Sequence, residues 1–289
     1  MKKLLTLFAA ILAVTVLFAQ KLDQGRSCGS WTAPCASKID EISKLGIKYI
    51  EVTINPFYRK IPSEKTEPMM LAMKKSIDST DIKVWSIHLP FSKELDISVL
   101  NDSLRAQNVA YLSKIIKLCS MYKPKKLVLH PSSEPIGDEE REQRMINSIE
   151  SISLLSEAAE KIGAQLCIEN LPRTCLGRNS QEIKRLVEKY PNVGVCFDTN
   201  HLLGETQHDF IQNIGNRIKT VHVSDYDFVD ERHWLPGKGQ INWGMLYNDL
   251  IESGYKGVFM FECREVGAKD LKESYNYVWK KYKKSKKNN

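Results

Sequence analysis

Six residues able to grip a cation stand at the ends of six short apolar runs. His88 closes Trp85-Ser86-Ile87-His88, His130 closes Leu127-Val128-Leu129-His130, and Glu169 closes Leu166-Cys167-Ile168-Glu169. Asp198 closes Val195-Cys196-Phe197-Asp198, His222 closes Thr220-Val221-His222, and Glu262 closes Phe259-Met260-Phe261-Glu262. His201, three residues after Asp198, and His233, in Glu231-Arg232-His233, extend the set, whereas His208 falls outside it and is assigned to a solvent-facing helix or loop. Imidazoles and carboxylates ligate divalent ions, and carboxylates also move protons in general acid–base chemistry. One histidine after an apolar run is read equally well as a hydrogen-bonded core residue, and one carboxylate as half of a structural ion pair. Recurrence decides the matter, because burying six ionisable groups together is costly unless a cation or a catalytic role offsets it. Glu51, on an earlier run, is open between lining the same place and a structural ion pair.

These residues are 24 to 42 apart in sequence, so the fold must gather them. Seven strand-like runs occupy residues 47–54, 82–88, 126–130, 164–169, 193–198, 218–223 and 257–262, and residues 26–30 are the candidate for an eighth. Between them lie helical patterns, among them 98–122, with Leu100, Leu104, Val109, Leu112, Ile115, Ile116 and Leu118 on one face, and 139–162. Leu45-Gly46, Tyr122-Lys123-Pro124, Ile162-Gly163 and Tyr190-Pro191-Asn192 supply the helix-ending chemistry of Gly and Pro. Alternating strands and helices predict an α/β protein, a (β/α)8 TIM barrel whose C-terminal strand ends converge on one face. An open doubly wound sheet is the second architecture, because parallel βα units alone do not prove closure.

The ends read differently from the body. Met1-Lys2-Lys3 precedes an apolar run over 4–19 broken only by Thr6 and Thr15, and the polar Gln20-Lys21-Leu22-Asp23-Gln24 follows. That pattern predicts a signal peptide over 1–19 and hence an exported chain, periplasmic or secreted, with an uncleaved anchor as the alternative because Leu17 is a poor residue two before a cut after Ala19. Residues 20–278 fit one barrel domain, which leaves no stable membrane insertion once the signal is removed. The net charge of +7 lies in Lys2, Lys3 and six lysines of a predicted solvated, frayed tail over 279–289. Without them the body is near neutral, which argues against nucleic acid as a partner. Of seven cysteines, Cys167, Cys196 and Cys263 read as small core residues, and Cys28 and Cys35 as a candidate export-compartment disulfide.

Four runs carry a resemblance: Cys167-Ile168-Glu169-Asn170-Leu171-Pro172-Arg173, Phe197-Asp198-Thr199-Asn200-His201, Val221-His222-Val223-Ser224-Asp225 and Gly257-Val258-Phe259-Met260-Phe261-Glu262. Together they resemble the xylose isomerase-like superfamily, which holds sugar (phosphate) isomerases and epimerases, inosose-processing enzymes and endonuclease IV-type repair enzymes. The resemblance implies one divalent ion on Glu169, Asp198, His222 and Glu262. Three carboxylates and an imidazole favour Mn²⁺, Mg²⁺ or Co²⁺, while the surrounding histidines keep Zn²⁺ open. It also implies an enzyme, a sugar isomerase or epimerase that moves a proton α to a carbonyl through an enediolate, with Glu169 and Glu262 as the catalytic pair. A hydride shift remains the alternative step. His88, His130, Arg173, His201, His233 and Lys238 are then the substrate-binding residues for a small sugar or polyol. In the segment Leu235-Pro236-Gly237-Lys238-Gly239-Gln240-Ile241-Asn242-Trp243, the glycines are read as a close backbone approach to substrate or as a tight turn.

Two other enzymatic readings share the site. A lyase or hydratase acting on keto-sugars or keto-glycosides suits an exported location. An endonuclease IV-type AP endonuclease would recruit His88, His130, His201, Glu231 and His233 to three zinc ions, with Glu231 replacing that family's Asp. A sugar-binding protein without catalysis has little in its favour, because every ligand position is present, and oligomeric state is open to sequence.

Overall fold

Eight short strands alternate with helices in a computed structural model that describes residues 21–28, 36–54, 63–264 and 266–287. The strands are β1 (Gln24–Ser27), β2 (Tyr49–Thr53), β3 (Lys83–His88), β4 (Lys126–Leu129), β5 (Gln165–Glu169), β6 (Gly194–Asp198), β7 (Ile218–His222) and β8 (Phe259–Phe261). The described helices are α1 (Ala36–Lys44), α2 (Ser63–Asp78), α3 (Asp102–Cys119), α4 (Asp138–Lys161), α5 (Ser180–Val187), α6 (Gln207–Ile214), α7 (Trp243–Glu252) and α8 (Ala268–Ser285). Neighbouring strands pair in parallel in the order β7-β6-β5-β4-β3-β2-β1-β8. The remaining seam closes one residue beyond β7, where the Val223 N–H donates to the Met260 carbonyl at 2.8 Å and the Glu262 N–H to the Val223 carbonyl at 3.1 Å. This is the predicted single-domain TIM barrel, and the open doubly wound alternative is set aside.

Two apolar groups make the alternation of the strands visible. Ile87, Leu127, Leu129, Leu166, Ile168, Val195, Phe197, Val221, Phe259 and Phe261 join the large core between sheet and helices, whereas Val128, Cys167 and Cys196 form a separate cluster. A period of two therefore turns the second set inward, and two residues further on it turns His130, Glu169 and Asp198 the same way. Burial of each large outward side chain contributes about 1.5–3 kcal/mol. The outer layer thus supplies the stability, and the inner mouth is free to hold polar groups.

Three expectations are corrected here. The first strand spans Gln24–Ser27 rather than 26–30, and residues 29 and 30 lie outside the described residues. Leu100 and Leu104 do not share the buried face of α3: they are 45% and 39% exposed. Leu100 precedes the Asn101 cap, so it is out of helical register, and Leu104 sits in the first turn, donating its N–H to that cap. The lysine-rich tail is not frayed over most of its length, because α8 continues to Ser285 and buries Tyr282 against Tyr247, ring centroids 4.9 Å apart. Its six lysines still face solvent. Cys28 is buried, while Cys35 and residues 1–20 lie outside the described residues. No helix among the described residues is long and apolar enough to cross a membrane.

Candidate metal and active site

Glu169, Asp198, His222 and Glu262 each bring a ligand atom to one place at the C-terminal mouth of the barrel, all within 4.8 Å of one another. Three end their strands, and Glu262 follows β8 directly. His222 is fixed at both nitrogens. Its Nε2 lies 3.0 Å from Glu51, whose two carboxylate oxygens also accept from Ser27 Oγ at 2.9 Å and Ser86 Oγ at 2.7 Å. Its Nδ1 faces Glu169 Oε1 at 3.0 Å and Glu262 Oε2 at 3.2 Å. Glu51 thus stands behind His222, where a carboxylate fixes the tautomer of an imidazole and raises its basicity.

Glu169 gathers three histidines. Its Oε2 lies 3.1 Å from His88 Nε2 and 3.2 Å from His130 Nε2, opposite the His222 contact on Oε1. Burial opposes ionisation here, yet the His222 charge and the hydrogen bonds from His130, His222 and His88 hold this carboxyl well below its ordinary range. Glu262 behaves alike: burial is outweighed by the charge and hydrogen bond of His222, and its carboxyl is also held low. His88 shows the reciprocal effect, since burial lowers its pKa but Glu169 carries it to about 9. His201 donates from Nδ1 to the Asn170 carbonyl at 2.9 Å, and His233 from Nδ1 to the Glu262 carbonyl at 3.1 Å. Burial lowers the pKa of His233 and leaves its Nε2 able to accept. At His201 burial is outweighed by Asp198 and Glu169, which raise its pKa, and its Nε2 lies 3.6 Å from Glu231 Oε1.

Asp198 tests whether a cation fits. Its Oδ1 accepts the Asn200 N–H at 2.6 Å, but Oδ2 is buried without a hydrogen-bond partner, and burial raises this carboxyl well above its ordinary value. An orphaned oxygen beside two ionised glutamates and an imidazole nitrogen is a ligand position. Cys196 also approaches, but burial keeps its thiol neutral, far above its ordinary pKa, so the set is one of oxygen and imidazole. Those donors fit Mn²⁺, Mg²⁺ or Co²⁺ better than an ion that selects thiolate.

The cluster opens into a cavity of about 560 Å³, whose wall includes His88, His130, His201, His233 and Arg173. Five of the six expected substrate-binding residues therefore line one chamber, and Arg173 and His233 hold left-handed φ angles of 53° and 51° there. Arg173 is already engaged: it pairs with Glu134 at 2.7 Å, Asp230 at 3.0 Å and Glu231 at 3.3 Å, tying three rim loops together. Lys238 does not reach this chamber and lines an adjoining one. The glycines beside it approach Asp225 rather than substrate. Asp225 accepts from Gly237 N at 2.7 Å, Trp243 Nε1 at 2.8 Å, Ile241 N at 3.1 Å and Tyr226 N at 3.0 Å. A Cβ at Gly239 would collide with the Tyr226 carbonyl, and Gly237 has φ of 94°. The Gly-x-Gly pattern therefore wraps a buried carboxylate. His208 is outside the site, on α6, with Asp249 2.9 Å away.

Sequence reasoning passed over Asn170 and Asn200. Asn170 exchanges two hydrogen bonds with Asp198, from Nδ2 to its carbonyl at 2.9 Å and from its N–H to Oδ1 at 2.7 Å. Asn200 Oδ1 accepts from Arg232 N at 3.0 Å, which steers the loop carrying His233. Their signal lay in their places directly after Glu169 and two after Asp198, within the runs that carry the resemblance.

A closed parallel barrel with a carboxylate–imidazole cluster at its C-terminal mouth defines a barrel protein whose functional groups gather in one chamber at that face. The chain belongs to the xylose isomerase-like TIM barrel family, whose model matches residues 39–281. Among curated relatives, an uncharacterized protein of Methanocaldococcus jannaschii is 28% identical over 189 residues, 62% of this chain and 64% of that protein, so the chain spans just under two thirds of it. The D-psicose 3-epimerase of Ruminiclostridium cellulolyticum is 24% identical over 250 residues, 80% of this chain and 79% of that one. A probable endonuclease 4 of Halothermothrix orenii is 25% identical over 226 residues, 70% of this chain and 79% of that one. In fold, a crystal structure of a D-tagatose 3-epimerase-like protein matches with a TM-score of 0.77 at 22% identity, covering 92% of this chain and 99% of that one.

Proposed function

We propose that this chain is a divalent-metal-dependent sugar isomerase or epimerase that transfers a proton α to a carbonyl. The observation that carries the reading is the four-residue cluster with its orphaned Asp198 oxygen, open to a chamber large enough for a sugar. Glu169, Asp198, His222 and Glu262 would hold the ion. When bound, a divalent ion polarises a carbonyl and the neighbouring hydroxyl and stabilises the charge that develops as the α-proton leaves. Glu169 and Glu262 meet at His222 Nδ1 from different strands, and both are ionised at neutral pH, as a base must be. The carboxylate that takes the proton becomes the acid, and if it delivers that proton to the next carbon the carbonyl moves. If the opposite carboxylate, first protonated by solvent, delivers one to the other face the carbon is inverted, the first then losing its proton to solvent. His233 accepts a hydrogen bond from a sugar hydroxyl, and His201 donates one. Export is part of the proposal, resting on residues 1–19, and amino-terminal sequencing of protein recovered from the periplasm or medium tests it.

The test is proton NMR of ketoses in D2O with metal-loaded protein. Deuterium appears at one carbon beside the carbonyl, Glu169→Gln and Glu262→Gln abolish the exchange, and Glu231→Ala retains most of it.

A nuclease is the second reading, favoured by two further groups, His88-His130-Glu169 and His201-Glu231-His233, each close enough to hold an ion of its own. The near-neutral body opposes it, because duplex binding needs a basic face. Close to three zinc ions per chain together with nicking of abasic DNA would replace the first reading with this one. A lyase or hydratase on keto-sugars would use the same groups, and product analysis in the NMR experiment separates it.

A further inference from the structure

A second cavity of about 430 Å³ adjoins the metal chamber, and His233 and Arg264 line both. Its other walls are Arg232, Trp234, Leu235, Lys238 and Val266, from the loops that follow β7 and β8. Three cations thus face one space, with no carboxylate among its described lining residues. Their pairing differs from that of the nearby Arg173, which three carboxylates neutralise. Arg232 gives its Nε to Asp227 at 2.8 Å, and its guanidinium lies 6.0 Å from the centre of the Trp234 ring. Lys238 and Arg264 are exposed and have no ion pair with any described residue. In (β/α)8 barrels the loops after the seventh and eighth strands are a frequent site of phosphate recognition. Here the helix end is not itself the site, because Asp270 of α8 already accepts the Gly267 N–H at 2.9 Å.

We propose that this side cavity binds a compact oxyanion, a carboxylate or a phosphate, carried by the substrate away from its reacting carbonyl, with Lys238 and Arg264 as its partners. The proposal rests on the sugar isomerase reading, since the two cavities share a wall and one molecule would span both. Trp234, 40% exposed, offers an apolar face to the part of the sugar that lies between. Lys238 and Arg264 both line the cavity, and an oxyanion held between them gains charge-assisted hydrogen bonds.

The test compares a neutral ketohexose with the same sugar bearing a terminal carboxylate and with its terminal phosphate, using metal-loaded wild type, Lys238→Ala and Arg264→Ala. The expected result is a higher kcat/KM for one anionic form, with the ratio of anionic to neutral kcat/KM falling roughly ten- to a hundredfold in each variant, as loss of a hydrogen bond to a charged group predicts. The preferred anion tells carboxylate from phosphate. Equal use of all three sugars, or a ratio that the variants leave unchanged, overturns the subsite while the isomerase reading stands. Inorganic phosphate, titrated by calorimetry, separates the two failures. If no sugar exchanges deuterium but wild type binds phosphate and both variants bind it at least tenfold more weakly, the subsite holds and the isomerase reading falls. Absence of phosphate binding together with absence of anion preference overturns the subsite.

Discussion

Replacing Glu51 by Gln isolates what the residue behind His222 does. Glu51 is fully buried and accepts three hydrogen bonds, from Ser27, Ser86 and His222. Truncation to Ala would strand all three donors, at about 1–3 kcal/mol each, which is comparable with a whole domain's stability of about 5–15 kcal/mol and so confounds folding with function. Glu51→Gln keeps the volume and one acceptor oxygen, and either serine hydroxyl can rotate to accept from the amide. Its folding cost is therefore about 1–2 kcal/mol. What it removes is the carboxylate behind the imidazole, a change that typically weakens metal binding about 10–100-fold, or about 1.4–2.7 kcal/mol. Equilibrium dialysis against Mn²⁺, with a competing chelator, measures the affinity, and calorimetric unfolding of the same samples measures the stability. The reasoning is refuted if Glu51→Gln binds Mn²⁺ as tightly as wild type while remaining folded. Loss of binding that merely tracks a large fall in Tm would refute it too.

Asp225→Asn should destabilise the chain by about 2–5 kcal/mol, because an amide turned towards two of its four N–H donors leaves them unmet; thermal unfolding reports it. Truncation after residue 278 removes Tyr282 and uncovers Tyr247, so Tm should fall with a loss of about 1.5–3 kcal/mol, whereas truncation after 285 should leave Tm unchanged. Asp227 is held at about 2, against an ordinary 3.8, chiefly by its hydrogen bond from Arg232. Its folded pKa is depressed, so the stabilising pairing is present above 3.8 and is lost as pH falls towards 2. Carbon-13 NMR titration of the Asp227 carboxyl should show a midpoint near 2 that returns towards 3.8 in Arg232→Gln.

Much of the site was legible because its chemistry sits at a periodic place. Glu169, Asp198 and His222 end strands that alternate inward and outward, so spacing alone marked them as neighbours once the strands were parallel and closed. What spacing left open was partnership. Glu51 was undecided between lining the mouth and a structural pair; its three partners come from β1, β3 and β7, which no local pattern connects. Arg173 was expected to meet substrate and does line the chamber, but its pairing with Glu134, Asp230 and Glu231, which arrive from two other loops, had no local signal. The tail looked like solvated chain by charge, but two of its aromatics, Trp279 and Tyr282, return to Tyr247.

By itself, then, the sequence determined which elements form and which side chains turn to the barrel interior, because strand alternation and helix-ending residues act within a few positions of the chain. The closure of the barrel, the burial of Asp198 Oδ2 without a partner, the glycine loop wrapped on Asp225 and the second cavity beside His233 were decided only by the tertiary structure. Each depends on which groups from distant strands and loops are brought within a hydrogen bond's reach, and Coulombic and hydrogen-bond energies are set by that distance and by the water excluded from it.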